Sequence, residues 1–154
     1  MSLEEFKIID PSNLPIDKLI AIIEKNQVLY LNRKLERFNI NSSQLHFLFE
    51  ISHQKEINQD KIASRCTIDK GTVARSVKKL EDNDLVKREV DEKNRRQKKV
   101  SLTNKGEETL NQAIKLLNEL EETVYDNSYI ETEDFKKALK EIAIKAIELN
   151  DKGE

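Results

Sequence analysis

Asp69–Asn83 reads DKGTVARSVKKLEDN. Wound into a helix, it places Val73, Val77 and Leu80 on one narrow apolar stripe. At ~100° per residue the opposite side carries Gly71, Thr72, Arg75, Lys78 and Lys79. One side can dock on a protein core, while the other is small, hydroxylated and cationic. The same description fits an ordinary solvated surface helix, and it also fits a helix that enters a DNA major groove. The neighbouring segments separate the two.

Upstream, Asn58 is placed to cap a short helix over 59–65 that buries Ile62 and Ala63. Cys66, Thr67 and Ile68 then form a tight turn into the basic helix. Two short helices around such a turn, the second one basic, form a helix-turn-helix. Downstream, Asn83 is expected to end the basic helix as a left-handed cap. LVKREV (Leu85–Val90) and KKVSLT (Lys98–Thr103) read as strands around the polar turn DEKNRRQ. This hairpin is a wing, with Lys93, Arg95 and Arg96 at its tip and Lys98 and Lys99 beside it. Arginines at such a tip suit an adjacent minor groove.

The flanks read differently. Residues 1–14 are expected to be a loosely ordered lead-in, held out of helix by Pro11 and Pro15. From Pro15 to about Phe38 the apolar residues recur at helical spacing on more than one side. Asn41 or Ser42 can cap the next helix, about 43–53, with Gln44 placed to complete a capping box if Asn41 is the cap. Beyond Thr103, Leu110, Ala113, Leu117, Leu120 and Val124 form a short coiled-coil-like seam. After a break at Tyr125–Glu131, a last helix from Thr132 to about Leu149 is expected to bury Phe135, Ala138, Leu139, Ile142, Ala143 and Ala146. These outer helices hold more apolar surface than a small winged domain can cover, so a second copy is expected to share it. The expected division is 1–38, an arm and dimerisation helix; 39–103, the winged helix-turn-helix; and 104–154, the C-terminal dimerisation helices. The fold class is mostly α with a small β-hairpin wing.

Composition agrees. With 36% charged residues, three Gly and two Pro, the 154-residue chain is biased toward helix. The net charge of −2 hides an asymmetry: residues 65–105 hold thirteen Lys/Arg against seven Asp/Glu, a net +6, which leaves −8 elsewhere. A basic middle between acidic ends suggests a localised polyanion-binding surface. No segment approaches ~20 uncharged apolar residues, so no membrane span is expected. The acidic start MSLEEFKIID lacks the layout of a secretion leader, and a cytoplasmic location is expected. Cys66 is the single cysteine, which permits no internal disulfide and, with no resolving partner in the chain, reads as a structural thiol rather than a redox sensor.

The strings INQDKIASRCTIDKGTVARSVKKLEDNDLVKREV and NRRQKKVSLTNKG resemble the MarR (multiple antibiotic resistance regulator) family of winged-helix transcription regulators. Gln59, Ile62, Ala63, Asp69, Lys70, Thr72, Val73, Leu80, Leu85, Val86, Val100, Leu102, Thr103 and Gly106 fit the family pattern. Two positions depart from it: the wing reads Asn94-Arg95-Arg96 in place of Asp-Arg-Arg, and Asn83 stands in place of glycine. The resemblance implies a homodimeric repressor on a pseudo-palindromic DNA operator, its half-sites about 10 bp apart. It also implies release by a small, often aromatic effector bound between the dimerisation and DNA-binding parts.

On that reading the DNA-binding residues are Lys70, Thr72, Arg75, Ser76 and Lys79 on the helix, with Arg95, Arg96 and Lys98 on the wing. Ser76 lies nearer the packed side. Tyr30, Phe38, Phe47 and Phe49 are the candidate effector-pocket residues, against the alternative that aromatics at helical spacing are simply core. His46 and His53 stand seven residues apart, about 10.5 Å along a helix, too far to share one ion unaided. No metal or cofactor is expected. No phosphate-cradling glycine loop or nucleophile elbow is present, so no enzyme is expected. The alternative from another class is a winged-helix protein-interaction module without DNA binding.

Overall fold

The computed structural model describes residues 2–92, 94–126 and 129–151, and for Arg96 and Gln97 the backbone only. The chain divides into two compact units, Met1–Ala113 and Ile114–Glu154.

The first unit opens with a short helix α1 (Leu3–Lys7), closed by a capping box between Ser2 and Glu5, and a 3₁₀ turn at Pro11–Asn13. The lead-in is therefore more ordered than expected, because Ser2 and Asp10 each supply a local acceptor for a free helical amide. Helix α2 (Ile16–Leu35) runs into a second 3₁₀ turn, Glu36–Phe38, and Asn39 takes the left-handed conformation at φ 56°. Helix α3 (Ser42–Gln54) starts with the expected Asn41–Gln44 capping box. Strand β1 (Ile57–Asn58) leads into helix α4 (Gln59–Cys66), capped by Asn58. Helix α5 (Lys70–Asp82) follows, capped by Asp69.

The left-handed residue after α5 is Asp84 at φ 58°, and Asn83 keeps φ −91°. This corrects the expectation at Asn83. Its side chain is engaged with Asn39, and the reversal of the chain falls one residue later.

Strands β2 (Val86–Asp91) and β3 (Asn94–Leu102) form the wing, and β1 pairs with the other edge of β3 to give the order β1-β3-β2. The wing strands run closer together than the expected seven-residue turn allows. The ladder continues to Asp91↔Asn94 past a register shift at Val90/Asp91. Backbone pairing needs no apolar alternation, so a charged hairpin continues where sequence periodicity is silent. Arg95 and Arg96 accordingly sit on β3; Lys93 and the Arg96 side chain lie outside the described residues.

The core of this unit joins Leu45, Phe47, Leu48 and Ile51 of α3, Ile62 of α4, Val73, Val77 and Leu80 of α5, and Val86 and Val100 of the sheet. Helix α6 (Asn104–Tyr125) begins against it, burying Leu110 and Ala113.

In the second unit, Tyr125 meets Phe135 of helix α7 (Thr132–Asp151) at 5.9 Å between ring centroids. Only Phe135 on α7 is even half-buried. Ala138, Leu139, Ile142, Ala143 and Ala146 are exposed, contrary to the expectation of burial, because no described residue of the second unit covers this side of the helix. Among the described residues no helix is long and apolar enough to cross a membrane.

Candidate nucleic-acid interface

Helix α5 is two-sided, as its periodicity predicts. Val73, Val77 and Leu80 are 0% exposed, while Lys70, Gly71, Arg75, Lys78 and Lys79 face outward. The apolar stripe leaves the helix no freedom to rotate, so the outward set is presented as a fixed surface.

The first turn is a hydrogen-bonded unit. The Thr72 amide donates to Asp69 Oδ1 at 2.9 Å, and Arg75 Nη2 donates to Thr72 Oγ1 at 2.8 Å. The hydroxyl and amide of Thr72 hold the Asp69 carboxyl below its ordinary range, with the Arg75 charge adding to the effect. A Cβ at Gly71 would come within 3.2 Å of Asp69 Oδ1 and 3.4 Å of Arg75 Nη1. Glycine therefore gives Arg75 room to lie across the start of its own helix.

The other expected DNA-binding residues fall around this turn. Lys70 bridges to Asp60 of α4 at 3.2 Å, and Ser76 is half-buried. Arg95 and Lys98 are exposed on β3. A cleft of about 400 Å³ joins the helix to the wing, with Lys70 and Lys98 on its wall. Arg88, also on that wall, is a residue sequence reasoning missed. It reaches from β2 to an ion pair with Glu81 in the last turn of α5. The opposite charges at 81 and 88 are visible in the sequence, but only the hairpin's path brings them together. Among the described residues, Lys79, Arg95 and Lys98 stand in no ion pair, so their charge is available to a polyanion.

The four candidate effector residues have different surroundings. Phe47 is 0% exposed within the core, Tyr30 lies under the Lys34 ammonium at 5.5 Å, and Phe38 lies under the Arg37 guanidinium at 4.6 Å. Phe49 lines a cleft of about 600 Å³ with His46, His53, Arg65 and Cys66. Burial, reinforced by Glu50, pushes the Cys66 thiol above its usual range, and Arg65 only partly offsets this. His53 Nδ1 is 2.9 Å from the Phe49 carbonyl. Among the described residues no three His, Cys, Asp or Glu side chains are grouped as metal ligands.

Comparison with known proteins places this arrangement. Residues 40–98 match the MarR family model. The HTH-type transcriptional regulator BilQ of Clostridium symbiosum (strain WAL-14163) is 30% identical over 104 residues, covering 68% of this chain and 72% of BilQ. A crystal structure of MarR superposes with a TM-score of 0.82 at 28% identity, covering 94% of this chain and 98% of the other. The S. aureus MepR–DNA complex superposes with a TM-score of 0.71 at 26% identity, covering 86% and 96%.

Proposed function

The chain belongs to the MarR family of winged-helix transcriptional regulators, which are not enzymes, and on that premise we propose that it is a homodimeric, DNA-binding repressor. Each protomer sets α5 into one half-site of a pseudo-palindromic operator, the half-sites about one helical turn apart. The wing residues Arg95, Arg96 and Lys98 reach the adjacent groove or backbone. The observation that carries this reading is the two-sidedness of α5, whose apolar stripe is fully buried while Thr72, Arg75 and Lys79 share the outward side. The DNA complex of the similar protein MepR supports it.

Segments 1–38 and 104–154 are the dimerisation parts, and the apolar side chains left open on α2 and α7 support this assignment. A small aromatic effector releases the DNA; the cleft beside Phe49, with the paired Arg65 and Glu50 on its wall, is the candidate pocket. The protein works in the cytoplasm. An interaction module without DNA binding would have no use for cations left unpaired on α5 and the wing.

The test is Arg75→Ala. Fluorescence anisotropy on a duplex selected from genomic fragments is expected to show binding weakened by about 1–3 kcal/mol, with the dimer intact by light scattering. Unchanged affinity removes Arg75 from the interface. Wild-type affinity is expected to fall steeply with salt, and a flat response favours the interaction module.

A further inference from the structure

The outward stripe of α5 continues past Arg75. Thr72, Arg75, Lys79 and Asn83 succeed one another at spacings of three, four and four residues. The last two line a cleft of about 640 Å³ together with Arg33 and Glu36, at the end of α2 and in the turn after it.

Most polar groups of this cleft are already committed. Asn32 Oδ1 accepts from the Ser42 amide at 2.8 Å, and Asn41 and Gln44 are occupied by their capping box. Asn39 Nδ2 donates to Asn83 Oδ1 at 2.9 Å, and Asn83 Nδ2 donates to the Asn39 carbonyl at 3.0 Å. What remains is charge. Arg33 and Lys79 are both exposed and, among the described residues, neither is in an ion pair. By contrast Arg65, Lys70, Lys78, Lys87, Arg88 and Lys99 are each paired with a carboxylate.

Two uncommitted cations on one cleft call for an anion. Glu36 opposes them, so the cleft is a weak trap for a free ion in open solvent. A phosphate carried by a duplex already seated on Thr72 and Arg75 is different, since it arrives at high effective concentration. We propose that Arg33 acts with Lys79 to hold a DNA backbone phosphate, extending the DNA-binding surface from the winged domain onto α2. This rests on the DNA-binding reading above. A phosphate contact positions the duplex without reading its sequence.

The experiment uses the full chain, a labelled duplex selected from a random pool, and a scrambled duplex of the same length. Arg33→Ala is expected to weaken both duplexes by a similar factor. It is also expected to lower the slope of log affinity against log salt by about two per dimer, one phosphate for each protomer. Arg33→Lys restores most of the slope, and Glu36→Gln strengthens binding to both duplexes. Melting temperature and dimer mass stay unchanged. An unaltered salt slope in Arg33→Ala overturns the proposal, as does a shift of Arg33→Ala and Glu36→Gln in the same direction. Saturable binding of inorganic phosphate that depends on Arg33, with the DNA slope unaltered, overturns it in favour of a free-anion site. If wild-type binding is insensitive to salt and Arg75→Ala has no effect, the DNA-binding reading itself has failed. If Arg75→Ala weakens the selected duplex and Arg33→Ala is silent, only the phosphate contact falls.

Discussion

Arg75 shows how much one side chain owes to its neighbours. Its spacing from Val73 and Val77 predicts that it faces outward, and it does. The hydrogen bond to Thr72 Oγ1 and the room left by Gly71 also give it a direction, which preorganises a planar donor for base or phosphate. Gly106 makes the opposite use of a missing side chain. A Cβ there would sit 2.0 Å from the Leu85 carbonyl, a backbone atom that also accepts the Thr103 amide at 3.1 Å. Neither the start of α6 nor the strand entry can yield without losing that bond. Gly106→Ala is therefore expected to destabilise by about 1–3 kcal/mol, in the range of overpacked cores. Thermal melts should show a drop of about 2–4 °C for each kcal/mol. An unchanged melting temperature would mean that the two elements are not so tightly apposed. The sequence marks Gly106 only as fitting a pattern; the reason, a carbonyl twenty-one residues earlier, is spatial.

Among the elements, helix starts are the most legible features. Asn41 and Asn58 each accept from an amide three residues on, at 2.8–2.9 Å. A cap and its target lie within one turn, so the sequence displays the whole interaction. The wing is less legible. Strand β1 has two residues and no alternation to read, and the outer wing carries charges on both faces. The link between wing and helix, Arg88 to Glu81, is legible only after folding. The hydrogen bond from Arg88 outweighs desolvation and, with the charges of Arg88 and Lys78 adding to it, holds the Glu81 carboxyl below its usual 4.5. A carboxyl whose value is lower folded than unfolded contributes stability that is complete above about 4.5 and is lost as pH falls through the folded value. Thermal melts between neutral pH and pH ~3 should therefore fall more steeply for the wild type than for Glu81→Gln. Parallel curves would show that the pair does not couple to folding. The variant should also be less stable at neutral pH, because it leaves Arg88 partly buried without its carboxylate.

At the scale of the whole molecule, α2 and α7 each carry large apolar side chains in the open. Ile16 is 72% exposed on α2, and Ile147 and Leu149 are 60% and 64% exposed on α7. Apolar rows of this kind seldom stay in water, and a second copy is the partner we propose for them. Deletion of 132–154 is expected to give aggregates or a poorly behaved species by light scattering. A clean, stable monomer would remove α7 from the interface.

The sequence alone determined the helix-turn-helix, the cap at Asn58, the outward set on α5 and the presence of a wing, because each is written within a turn or two of chain. Periodicity and capping are local, and local interactions leave local signatures. The tertiary structure decided which distant groups meet: Glu81 with Arg88, Asn39 with Asn83, β1 with β3, and Arg33 with Lys79 on the lining of one cleft. It also decided that Phe47 belongs to the core and that the apolar side chains of α7 stay exposed. Those outcomes depend on how elements stack, and stacking is set by the summed burial of many side chains rather than by the spacing of any few.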